Sequence, residues 1–210
     1  MLRIQYALIL TLGLGLTGCM DPSESGHLVP QTAAEDGDIP QMSFNGSTFH
    51  VETYGQPGAP VIVMLHGGPG SDFRSLLRLL VPVDGRRLGE DHHLIFWDQR
   101  GSGLSQRHDA DEITLESYDQ DLDWIIDHFS PDRPVVLIGH SWGGMYASRY
   151  ITQHPGKVAG AVLMEPGPLT GELFKEVEDE IIDLAFFSEW LNDYTWAHRV
   201  LSPDDHARAE

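Results

Sequence analysis

The sequence predicts an α/β domain built on a mostly parallel sheet with helices on both faces. Three observations predict it. Residues 61–65 form a continuous apolar run, the mark of a strand covered on both sides, and further strand-like runs follow at 93–97, 135–138 and 158–164. Amphipathic stretches alternate with those runs along the chain. Glycine-rich loops follow three of the runs, and in a parallel sheet the carboxyl ends of strands are where chemistry is held.

Ahead of this domain, Arg3 precedes an apolar stretch from Tyr6 to Leu16, too short to span a bilayer but suited to the core of a secretory signal. Leu16, Thr17, Gly18 and Cys19 resemble a bacterial lipobox. The resemblance implies export, cleavage before Cys19 and a lipid on that cysteine, which would hold the protein to a membrane on its periplasmic or outer side. Residues 1–18 then read as a lipoprotein signal peptide. Residues 19–40, rich in Pro, Gly, Ser and acids without an apolar period, read as an acidic solvated tether.

From Gln41 the pattern changes. Met42–Phe44 and Thr48–Tyr54 flank Asn45 and Gly46, a pair that supplies the positive φ of a tight hairpin turn. A helix is expected over 72–80. A longer one is expected over 114–129, where Thr114 caps a face made by Leu115, Tyr118, Leu122, Ile125, Ile126 and Phe129. A third is expected over 143–154. Residues 41–167 make up the core domain. From Gly171 the text reads helical, with Leu173, Val177, Ile181, Leu184 and Ala185 on one face, so 168–210 is expected to begin a helical cap.

Composition narrows the function. The chain has 210 residues, a formal charge of −19 and 41% hydrophobic residues, enough to bury one core. With 5 Trp, 6 Tyr and 8 Phe it is no disordered acidic chain. The acidic surplus repels phosphate, so nucleic acid is not an expected partner. One cysteine, Cys19, permits neither an internal disulfide nor a cysteine-based zinc site.

Gly139-His140-Ser141-Trp142-Gly143 fits G-x-S-x-G between a buried strand and a helix. At such an elbow the chain reverses so sharply that its flanking positions tolerate no bulky side chain, and the serine stands exposed at a helix N-terminus. Ser141 is therefore the nucleophile candidate. The loop His66-Gly67-Gly68-Pro69-Gly70 lets backbone N–H groups approach an oxyanion. Of its two candidates, Gly68 is chosen over Gly67 as one donor, the other being the N–H of Trp142. His66 is read as ordering the turn. Asp98-Gln99-Arg100-Gly101-Ser102-Gly103 offers an Asp98–Arg100 pairing and is read as structural.

Together HGGPG at 66–70, DQRGSG at 98–103 and GHSWGG at 139–144 resemble the α/β-hydrolase fold and, within it, the proline iminopeptidase family of serine peptidases. The likeness covers roughly residues 41–167. It implies a helical cap inserted after the sixth strand, no metal or organic cofactor, and hydrolysis of a small peptide, amide or ester through an acyl-enzyme. Ser141 matches the nucleophile, and Trp142 and the HGGPG glycines match the oxyanion donors. The triad of this fold runs Ser, then Asp or Glu, then His, and no position after Ser141 matches its acid and histidine.

The chain is thus expected to stop inside the cap, with later core strands missing and, by itself, to be inactive. His154 ends the elbow helix, too far along it to act as a base. His198 and His206 read as solvent-facing helix residues, and Glu165 as a rim residue within reach of substrate. Two further readings remain beside the aminopeptidase: an esterase or lactonase of the same fold, and a non-catalytic lipoprotein lacking the triad Asp and His.

Overall fold

The computed structural model describes residues 29–173 and 175–176. From Gln31 onward they belong to one compact unit. Its six strands are β1 (Gln41–Phe44), β2 (Ser47–Gly55), β3 (Val61–Leu65), β4 (His93–Trp97), β5 (Val135–His140) and β6 (Val158–Met164), arranged in the order β1-β2-β4-β3-β5-β6. The pairs β3–β4, β3–β5 and β5–β6 are parallel, while β1–β2 and β2–β4 are antiparallel. The β1–β2 turn has Asn45 at φ 46° and Gly46 at φ 72°, the hairpin geometry expected of Asn-Gly.

The strand order explains where the connections lie. From β3 the chain steps one way to β4, then reverses across β3 to reach β5 and continues to β6. A right-handed crossover must change face when its direction reverses. Accordingly α1 (Leu115–Phe129) and α2 (Trp142–Gln153) share one face, packing Tyr118, Leu122, Ile125, Tyr146, Ala147 and Tyr150 on Val61, Val63, Leu65, Ile95 and Leu137. The other face, with Ile62, Met64, Leu94 and Phe96, is covered by Phe73–Leu80. The reversal leaves a crevice between the carboxyl ends of β3 and β5.

Several expectations are corrected. Phe73–Leu80 is a 3-10 helix rather than an α-helix, capped by Asp72, whose Oδ1 accepts the Arg74 N–H at 2.9 Å. Phe73, Leu76 and Leu79 recur every third residue, the period at which 3-10 side chains eclipse, and this puts Phe73 and Leu76 into the core. Leu115, placed on the core face by its spacing, is 51% exposed because it opens α1 beyond the sheet. The tether expected over 19–40 does not extend to its end: Thr32 and Ala33 are buried, and the Ala33 N–H donates to the Leu104 carbonyl at 2.7 Å. β6 has the predicted bounds and, paired among the described residues with β5 alone, leaves Val162 and Leu163 exposed. Cys19 and the signal segment, and the cap expected beyond residue 176, lie outside the described residues.

Arg100 does not pair with Asp98. Its guanidinium forks onto both carboxylate oxygens of Asp121 at 2.8 Å and donates to the Asn45 carbonyl at 2.9 Å, while Asn45 Nδ2 donates to Asp121 Oδ1 at 3.2 Å. The planar fork matches the Asp121 carboxylate on the neighbouring helix, while the Asp98 carboxylate is taken up by Phe73 N, Leu104 N and His50. Asp121 is fully buried, so Asp121→Ala strands a buried guanidinium and frees the hairpin turn. The expected loss is about 3–5 kcal/mol of folding stability, read from urea unfolding.

Candidate active site

At the carboxyl end of β5 the chain passes from strand to helix in one residue. Ser141 sits there at φ 51°, ψ −117°, in a region an L-residue occupies at a cost of about 1–3 kcal/mol. Backbone hydrogen bonds hold it in place. The Ser141 N–H donates to Met164 O at 3.0 Å, and its carbonyl accepts from Gly144, Met145 and Gly167 at 2.9, 3.3 and 3.2 Å. The side chain caps no helix N–H, which leaves a half-buried hydroxyl at the positive end of α2.

The flanking glycines are required for steric reasons. A Cβ on Gly139 would stand 2.2 Å from Gly143 O, and one on Gly143 would stand 2.0 Å from Leu65 O at the end of β3. This contact brings the elbow against the loop that follows β3. A Cβ on Gly67 would meet Ser141 Cβ at 3.3 Å, so that loop lies directly beside the serine.

His66, fully buried, orders the loop. Its Nε2 accepts the Gln99 backbone N–H at 3.0 Å, so the ring proton is on Nδ1, which donates to Gly67 O at 2.8 Å. Burial lowers the pKa of His66 below 6.5 and keeps the ring neutral. In the trans peptide that follows, N–H and C=O point opposite ways, so a Gly67 carbonyl held to the imidazole turns the Gly68 N–H away from it.

The third loop, read from sequence as structural, is the residue set that sequence reasoning missed. Asp98 is 1% exposed and spends its carboxylate on the loop: Oδ1 accepts from Phe73 N at 2.9 Å, and Oδ2 faces Leu104 N at 2.8 Å and His50 Nδ1 at 2.9 Å. Gln99 is fully buried and joins all three loops. Its Nε2 donates to His66 O at 3.1 Å, and its Oε1 accepts the Trp142 indole N–H at 3.0 Å. The signals in the sequence were the polar pair Asp98 and Gln99 after a buried strand and the DQRGSG motif that the pair opens.

The remaining candidates are placed as follows. Glu165, at φ 45°, stands on the rim with its side chain 92% exposed, 4.0 Å from His140 Nε2. His154 is the C-cap of α2, stacked on Tyr150, and has no contact with Ser141. His198 and His206 lie outside the described residues. A cavity of about 580 Å³ opens beside Trp142, bordered by Leu115, Tyr118, Met145, Arg149 and Leu169.

Two measurements check this geometry. Gly143→Ala drives a methyl into the Leu65 carbonyl, so the elbow must open, with an expected loss of at least about 2 kcal/mol in chemical unfolding. Of the three buried histidines among the described residues, His50 and His66 should titrate on opposite sides of 6.5 in ring ¹⁵N spectra. Burial opposes the charge on His50, but Asp98 and Glu52 outweigh it and raise its pKa, whereas that of His66 is lowered. By linkage, His66 contributes stability that is lost as pH falls below about 6.5, and His50 contributes stability that is lost as pH rises through its folded pKa.

Comparison with known proteins agrees with this fold. The family described as alpha/beta hydrolase fold matches residues 60–200. The proline iminopeptidase PfmaB of Pestalotiopsis fici is 28% identical over 183 residues, covering 77% of this chain and 61% of the relative. The proline iminopeptidase of Heyndrickxia coagulans is 37% identical over 110 residues, covering 52% of this chain and 35% of the relative. The crystal structure of a proline iminopeptidase-related protein from Thermus thermophilus superposes with a TM-score of 0.52 at 24% identity, covering 61% of this chain and 44% of that one. The chain therefore spans less than two thirds of the length of these relatives. An elbow serine between sterically obligatory glycines, a glycine loop beside it and the match over 60–200 together place the chain in the α/β-hydrolase fold family, with proline iminopeptidases among its relatives.

Proposed function

We propose that this chain carries the nucleophile and oxyanion donors of a serine hydrolase that releases N-terminal residues, proline foremost, from small peptides. The observation that carries the reading is Ser141, held at φ 51° at the N-terminus of α2 with its hydroxyl left uncommitted by the helix. Its Oγ attacks the scissile carbonyl carbon. The developing oxyanion is met by the N–H of Trp142, in the first turn of α2, and the N–H of Gly68, which His66 turns away from the buried side of its loop. Collapse of the tetrahedral intermediate expels the amine, which carries off the proton that Ser141 gave up on attack, and leaves an acyl-enzyme that water hydrolyses to the free acid and the Ser141 hydroxyl. Among the described residues no histidine is hydrogen-bonded to Ser141. The peptidase part of the proposal rests on the relatives named proline iminopeptidase, at 28% and 37% identity. Cys19 belongs to the same proposal as the lipidated residue, tested by palmitate incorporation that Cys19→Ser removes.

A fluorophosphonate probe tests the nucleophile. The expected result is a covalent adduct on Ser141 that Ser141→Ala abolishes, and an adduct surviving that change would overturn the assignment. Turnover of a proline arylamide lost in Ser141→Ala supports the peptidase. Turnover confined to acyl esters would replace it with the esterase reading.

A further inference from the structure

We infer that Gln99 is a positioning residue that sets both oxyanion donors at once, an inference that rests on Ser141 being the nucleophile. Its carboxamide has no freedom in how it is used. The Trp142 indole nitrogen can only donate, so Gln99 Oε1 must be the acceptor at 3.0 Å, and Nε2 is left to donate to His66 O at 3.1 Å. The Gln99 backbone N–H, bonded to His66 Nε2 at 3.0 Å, fixes the imidazole as the Nδ1–H tautomer that holds the Gly67 carbonyl. One residue thus fastens the side chain whose backbone N–H is the first donor and the imidazole that orients the second. Moving either end alters the distance between the two N–H groups.

A loop fastener of no consequence for the site would look different. The loop after β4 is already anchored without the carboxamide. Asp98 binds Phe73 N and Leu104 N, Ser105 Oγ donates to Asp98 O at 2.6 Å, and Ser102 Oγ donates to Gln99 O at 2.7 Å. Arg100 ties the next position to α1 through Asp121. The Gln99 side chain points back across the loop to both the elbow and the glycine loop, whereas Ser102 Oγ faces only His66 Nε2 of the latter, at 3.3 Å. Removing its hydrogen bonds while keeping its length should therefore spare the fold and disturb the donors.

The test uses the full chain with Gln99→Met, Trp142→Phe and the double variant, each compared with the unaltered chain. Three quantities are read: the second-order rate of Ser141 phosphonylation by a fluorophosphonate, the thermal midpoint, and the ring-nitrogen resonances of Trp142 and His66. Each single variant should slow labelling about 100-fold, the scale of one lost oxyanion donor. The double variant should be no slower than Gln99→Met, because Trp142→Phe removes only a bond that Gln99→Met already cuts. Gln99→Met should also shift the Trp142 indole and His66 resonances. Labelling at the unaltered rate in a folded Gln99→Met chain, or losses that multiply in the double variant, would overturn the inference. A labelling loss matched by collapse of the midpoint counts against it as well. Should Gln99→Met fail to fold, Trp142→Phe cuts the same bond from its other end and is judged by the same rate. If the unaltered chain takes no label, the nucleophile reading fails, and the clamp is then judged by the resonances, which must move in Gln99→Met for it to stand.

Discussion

Where α2 meets the end of β3, the backbone at Gly143 leaves no room for a Cβ beside the Leu65 carbonyl. The site depends on that approach. It forces glycine at 143 and, through the reversal of the chain, at 139, and it pushes Ser141 into positive φ. It also sets the glycine loop after β3 against the serine, because the loop begins one residue beyond the carbonyl in contact. The strain at Ser141, about 1–3 kcal/mol, is offset by backbone bonds to Met164, Gly144, Met145 and Gly167. The nucleophile candidate is thus positioned by backbone packing, in an interior dense enough to transmit strain.

Polar groups then hold the loops where packing cannot. The chain is strongly acidic, yet the described domain buries Arg100 where the Asp121 carboxylate meets it, and sets the His50 ring beside Asp98, which favours its protonated form. Such pairs add little net stability over apolar residues of the same shape. Their value here is directional. Asp98 and Asp121 accept hydrogen bonds from the hairpin, the 3-10 helix and the loop after β4 together, so each segment has one satisfied arrangement. The neutral His66–Gln99–Trp142 chain continues the arrangement to the elbow, where a charge would have been costly to bury.

Much of the architecture was legible because apolar periodicity is a local property. The strands β3 to β6, the Asn45–Gly46 turn, the Thr114 cap and the Ser141 elbow each follow from a few consecutive residues whose φ preference or burial pattern has one reading. The segment over 72–80 was legible as a helix but not as a 3-10 helix, since the third-residue repeat of Phe73, Leu76 and Leu79 is too short to separate the two periods. Residues 31–36 carry no periodicity, and their burial comes from a backbone bond to Leu104, far along the chain.

By itself the sequence determined the strands, the helices and the serine between two glycines, because backbone conformation and burial pattern are written within short windows. Only the tertiary structure decided that Arg100 pairs with Asp121 and not Asp98, that β6 leaves Val162 and Leu163 exposed, and that Gln99 touches His66 and Trp142. Those partners are brought together by the order of the strands. A hydrogen bond between loops depends on where separate strands end in space, and spacing along the chain carries no record of that.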